Sequence, residues 1–133
     1  MTLPVTAFTA AVCALMLLIL AIDTVRHRFR TEAPFGDQGD AKLISASRAH
    51  ANLAEHAPLV LVMMGCLELA HAYHPLLMGI GALFLAGRVS HIFGLYGQVS
   101  KTPPLTRTIG VIITWLVLFV LSGWTLWLLA ISN

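Results

Sequence analysis

The sequence predicts an all-α integral membrane protein, a bundle of four spanning helices. Three observations lead there. The 133 residues are 58% hydrophobic and only 11% charged, where a soluble domain carries about 25% charged residues; mean hydropathy is +0.84. Four long apolar stretches alternate with short polar segments. All eight Lys and Arg residues fall beside the first and third of these segments, or in the helix ends that lead to them. The length suits one domain, residues 1–133.

The first helix is expected over about 3–28. Residues 3–22 are uncharged and number about 20, enough to cross a bilayer. No basic residue precedes them, so they read as a span rather than a cleavable signal. Asp23 ends the apolar part, and Arg26, Arg28 and Arg30 follow. Residues 31–40, TEAPFGDQGD, hold Pro, two Gly and three acids and read as a loop.

The second helix is expected over about 41–71. Around 30 residues make about 45 Å of helix, longer than a hydrocarbon core of roughly 30 Å. The excess projects from the end that carries Arg48. Pro58 should kink this helix, because it cannot donate to the carbonyl of Ala54. A short turn, 72–74, places Pro75 at the first position of the third helix, 75–96. Residues 97–104, GQVSKTPP, form a second polar loop. The fourth helix is expected over about 105–131, with Trp124 and Trp127 as interfacial aromatics. Cys13 and Cys66 lie in apolar runs and read as small core residues; their spacing fits neither a metal site nor a disulfide framework. His56, His71 and His74 form no metal-ligand set, since the last two lie at the far end from the first. The few basic residues, interrupted by apolar spans, carry no nucleic-acid signature.

Four spans put both termini on one side. The basic residues all belong to the other: Arg26, Arg28, Arg30, Lys42, Arg48, Arg88, Lys101 and Arg107. The positive-inside rule places that side in the cytoplasm and both termini across the membrane. Arg28, Arg30 and Lys101 are expected as topology signals and headgroup contacts.

The stretch 47–58, SRAHANLAEHAP, organises the polar chemistry. Arg48, Asn52 and Glu55 stand at i, i+4 and i+7, which is one helix face about 10 Å long. Counting inward along the helices brings Arg26, Glu55, Arg88, His91 and Arg107 to the same third of the bundle. Ionisable groups at that depth usually face a bundle interior or a cavity. The expectation is a cavity open to the basic side. Several guanidinium groups beside one carboxylate suit a small ligand with carboxylates and an ammonium. Glutathione has that pattern, with amides that Asn52 would meet and a thiol that a nearby cation would hold as thiolate. Plainer readings stand beside these. Arg48 and Glu55 could be an interhelical ion pair, Asn52 a cross-helix hydrogen bond, and His91 a packed core histidine. Arg107 could be an ordinary anchor, and Arg88 a structural partner of Glu55 or Glu68.

RAHANLAEHAP in the second helix and GRVSHIFGLYG in the third resemble the two signature segments of the MAPEG family, the membrane-associated proteins of eicosanoid and glutathione metabolism. The order of four spans, the basic end of the first helix and an arginine opening the fourth are also similar, so the resemblance covers nearly the whole chain. It is closest to short bacterial members, which implies a bacterial inner membrane with both termini periplasmic. The resemblance further implies a homotrimer of MAPEG-like four-helix subunits, with glutathione as co-substrate held between neighbours near the cytoplasmic face. By position it implies that Arg48, Asn52 and Glu55 bind glutathione, that Arg26 reaches in from the adjacent subunit, and that His91 stands at a ligand contact. It implies that Arg107 is the catalytic residue, stabilising the thiolate. Better-known members place a tyrosine where Leu95 stands; Tyr96, one step on, remains to support the ligand. Ala51 replaces an arginine of some members.

Two function classes follow. One is a glutathione transferase or peroxidase acting on a lipophilic electrophile that enters from the membrane lipids. The other is a catalytically silent protein that binds glutathione or a related anion, or only scaffolds. A small multidrug-type transporter needs an acid within the first span, and residues 3–22 contain none.

Overall fold

The computed structural model describes residues 1–97 and 102–132; the middle of the 97–104 loop, with Lys101, and Asn133 lie outside the described residues. Among the described residues the chain forms four helices: α1 (Pro4–Thr31), α2 (Ala41–Leu69), α3 (His74–Tyr96) and α4 (Leu105–Ser132). All four are long and apolar enough to cross a membrane.

Helix α1 starts with proline in its first turn, where the missing N–H costs nothing. Its next donors are satisfied from another helix. The Glu68 carboxylate of α2 accepts from Val5 N–H at 2.9 Å and Thr6 N–H at 2.8 Å, and His74 Nε2 lies 3.0 Å from the same group. A carboxylate there also meets the positive end of the helix dipole. At its other end α1 runs to Thr31, past the expected stop near residue 28. Glu32 ends it in the left-handed region, φ 53°, its N–H turned back to the carbonyls of Arg28 and Phe29.

The α1–α2 loop is folded by the residues expected to signal topology. Arg28 Nη1 donates to the carbonyls of Ala33, Pro34 and Gly36 at 3.2, 3.3 and 3.1 Å. Arg30 Nη2 lies 2.6 Å from Asp40 Oδ1. Asp40 is also the N-cap of α2, accepting from Leu43 N–H at 2.8 Å. That N–H, with the Arg30 guanidinium behind it, holds the Asp40 carboxyl below the usual carboxylate range. Helix α2 continues through Pro58 to Leu69, where Ala70 and His71 turn away, His71 at φ 55°.

Helices α3 and α4 pack most closely, then α1 and α2; α2 and α3 also meet across the bundle, while α1 and α4 do not touch among the described residues. The section is therefore a rhombus with α2 and α3 on the short diagonal. Leu53, Met64, Leu67, Phe84, Val117 and Leu121 fill it. Helix α1 keeps a broad apolar face outside, including Leu15, Ile19, Ile22 and Phe29.

Two glycines set the α3–α4 distance. A Cβ on Gly94 would lie 2.6 Å from Arg107 Cβ, and one on Gly110 would lie 2.6 Å from both the Gly87 carbonyl oxygen and His91 Cβ. Only a residue without a side chain allows this approach.

Candidate functional site

The α2 stripe is real as a face but not as the wall of an internal cavity. Arg48 and Glu55 are exposed on the outside of the subunit, on the same side as Leu59, Val62 and Leu69, and Asn52 is half-buried beside them. The side chains of Arg48 and Glu55 make no hydrogen bond or ion pair with each other or with any described residue. The same holds for Arg26, exposed on α1. The largest cavity described, about 590 Å³, is an apolar groove at the opposite end, lined by Val5, Phe8, His74, Met78 and Leu85. None of the described cavities is lined by Arg48, Asn52, Glu55, His91 or Arg107. The reason is the rhombic packing. Helices α2 and α3 close against each other, which fills the interior and turns Arg48 and Glu55 outward.

Asn52 is the inward link of the stripe. Its Oδ1 accepts from Arg88 Nη1 of α3 at 2.5 Å. Arg88 is 2% exposed. Its Nη2 donates to the Gly110 carbonyl at 3.1 Å and to the Thr114 hydroxyl, which itself donates to Gly110 O at 2.8 Å. The guanidinium carbon lies 5.7 Å from the centre of the Phe84 ring, and Nε is buried without a partner. Pairing of Arg88 with Glu55 or Glu68 is therefore corrected. Glu68 is spent at the far end on the amides of α1, Glu55 faces outward, and no carboxylate comes within ion-pair distance of Arg88 among the described residues.

His91 follows Arg88 by three residues and shares its buried face. Gly110 lies against both: its carbonyl accepts from Arg88, and a Cβ on it would lie 2.6 Å from His91 Cβ. Arg107 stands one turn before Gly110 in the first turn of α4, half-buried, with its backbone against Gly94. Asn52, Arg88, His91 and Arg107 thus form one path across α2, α3 and α4.

Tyr96 belongs to a different group. It is exposed, and its hydroxyl donates to Asp23 Oδ2 of α1 at 2.5 Å. His27 Nε2 lies 3.7 Å from the same oxygen. Leu95 is buried in the bundle.

Among the described residues no group of three His, Cys, Asp or Glu is placed to hold a metal ion. The sequence reading missed Thr114 and Asp23, and gave Arg88 the wrong partners. Thr114 carries a weak signal, a lone hydroxyl in an apolar run. Asp23 carries a stronger one, an acid at the mouth of a span.

The MAPEG family model matches residues 6–127. The chain is 32% identical over 123 residues to the inner membrane protein YecN of Escherichia coli strain K12, a match covering 92% of this chain and 91% of that protein. YecN of Escherichia coli O6:H1 strain CFT073 matches to the same extent. No solved structure matches the chain.

Proposed function

Because the chain belongs to the MAPEG family, we propose that it is a membrane-embedded glutathione-dependent transferase or peroxidase of hydrophobic electrophiles. The observation that carries this reading is the unpaired outward stripe of α2. Arg48 and Glu55 are charged, exposed and without partners among the described residues, on a face whose other half is apolar. Charges on such a face need a partner that the single subunit does not supply. A neighbouring subunit in a homotrimer would bring Arg26 to this face. Glutathione between the two subunits would then place its carboxylates on Arg26 and Arg48 and its ammonium on Glu55. Arg107 is the residue assigned to the thiolate, and His91 and Asn52 complete the site.

The membrane is a bacterial inner membrane, by analogy with YecN, an inner membrane protein of Escherichia coli, and on the four apolar helices. The basic loop ends face the cytoplasm and both termini the periplasm.

A second reading, a silent glutathione binder, is favoured by one detail. Leu95 is buried and the Tyr96 hydroxyl is committed to Asp23, so a phenolic donor for the thiolate is not free. One experiment separates the readings. Purified protein in liposomes is titrated with glutathione by calorimetry and then assayed with a generic aryl halide. Binding with turnover supports the enzyme, and binding alone supports the silent protein. No binding at millimolar glutathione overturns both. Native mass spectrometry of the same sample should show trimers.

A further inference from the structure

We propose that Arg88 is a positioning residue that locks the Asn52 amide and turns its NH2 outward as a strengthened hydrogen-bond donor for an anionic or carbonyl oxygen of the ligand. The inference rests on the glutathione reading of the α2 stripe and adds to it a residue that makes no ligand contact.

An arginine side chain only donates. Its 2.5 Å bond to Asn52 therefore fixes which end of the amide is oxygen, and that end points into the bundle. The NH2 end must point the other way. It makes no hydrogen bond among the described residues, yet it is not among the buried unpaired polar atoms. Asn52 itself is half-buried on the face that carries Arg48 and Glu55, so that is the face toward which this end opens.

The lock is stiff. Arg88 is held by the Gly110 carbonyl and the Thr114 hydroxyl of α4, with Phe84 beneath. These partners are all neutral. Arg88 is 2% exposed, and its guanidinium faces no carboxylate among the described residues. A buried charge of this kind costs stability unless compensated. If Arg88 were only a helix staple, a carboxylate at position 52 would serve it better than an amide. The amide passes the positive charge on: a donor bonded through a polarised carbonyl donates more strongly in turn. The stripe then presents donor, donor and acceptor from Arg48 through Asn52 to Glu55. That order selects a ligand with an oxygen acceptor beside an ammonium.

The chain contains only two asparagines, Asn52 and Asn133. Protein labelled with nitrogen-15 at asparagine and with carbon-13 at methionine methyls, in nanodiscs, therefore gives two side-chain NH2 pairs. The pair lost in Asn52→Asp is that of Asn52. On adding glutathione the Asn52 pair should shift, and Asn52→Asp should bind glutathione at least about tenfold more weakly. The same variant should melt no lower than the wild type, because it gives Arg88 a carboxylate. Arg88→Met should also weaken binding, with the Asn52 pair no longer shifting. If that variant does not fold, Arg88→Lys, which keeps the charge but not the fork, takes its place: a smaller shift of the Asn52 pair and weaker binding support the role of Arg88, and a wild-type shift with wild-type affinity overturns it. Methyl shifts with a stationary Asn52 pair would overturn the role of Arg88 and leave the ligand reading standing, as would wild-type affinity in Asn52→Asp. No shift in any signal at millimolar glutathione would remove both.

Discussion

The Tyr96 hydroxyl donates to the Asp23 carboxylate at 2.5 Å, tying the end of α3 to α1 at the basic end of the bundle. Tyr96 is thus satisfied within its own subunit. Tyr96→Phe should loosen the α1–α3 contact by about 1 kcal/mol, since the pair is partly exposed. The thiolate absorbance of bound glutathione should not change. A lost thiolate signal with intact thermal stability would make Tyr96 a ligand contact after all.

Glu55→Gln should weaken glutathione binding and leave the trimer intact. Loss of one charge-assisted hydrogen bond of about 1.5–3 kcal/mol corresponds to roughly 10- to 150-fold in affinity. Glu55 has no partner among the described residues to strand, so folding should be unaffected. Calorimetry and native mass spectrometry on one sample check both halves. An unfolded variant would favour a structural role.

Arg107→Leu should abolish the ultraviolet thiolate band of bound glutathione and cut turnover, with a smaller effect on affinity. A thiol of pKa about 8.5 is mostly protonated at neutral pH, and a nearby guanidinium and the start of α4 both favour the anion. An unchanged band would move this role elsewhere, first to Arg26.

Gly94→Ala should be disruptive out of proportion to one methyl group. The new Cβ would meet Arg107 at 2.6 Å from its Cβ and 2.7 Å from its Cα, and such overpacking costs about 1–3 kcal/mol. Because the collision is with Arg107 itself, glutathione turnover should fall together with thermal stability. Gly79→Ala, which meets nothing within 4 Å, is the control.

Acid should release the start of α2. The Asp40 carboxyl lies below its ordinary value of 3.8, held first by the Leu43 N–H and then by Arg30. A depressed carboxyl gives stability that is present above the unfolded value and is lost as pH falls through the folded one. Hydrogen exchange at the Leu43 amide should therefore speed up below about pH 4 beyond its intrinsic pH dependence. Asp40→Ala should show the faster exchange at neutral pH and lose that acid response.

The four helices are legible in the sequence because each is an apolar run bounded by Pro, Gly or charge. Their ends are less so. Helix α1 gains a turn because Glu32 takes a left-handed cap that its residue type does not advertise. The stripe of Arg48, Asn52 and Glu55 follows from helical spacing alone. Its direction does not, because that depends on how α2 rotates against α3. Arg88 shows the limit most clearly. Charge suggested Glu55 or Glu68 as its partner, but the contacts join residues 36 and 26 apart along the chain, Asn52 and Thr114. Such pairs are set by helix register and by the glycines that bring α3 and α4 together, neither of which composition encodes.

The Glu68 carboxylate has a consequence for biogenesis. It completes the start of α1 from 62 and 63 positions downstream. At about 5–20 residues per second, the ribosome delivers it roughly 3–12 s after the amides it will serve. Until α2 packs beside α1, the amides of Val5 and Thr6 lack this partner. The leading end of α1 is therefore completed by a residue of its neighbour, which makes the α1–α2 pair, rather than either helix alone, the smallest unit with that end satisfied.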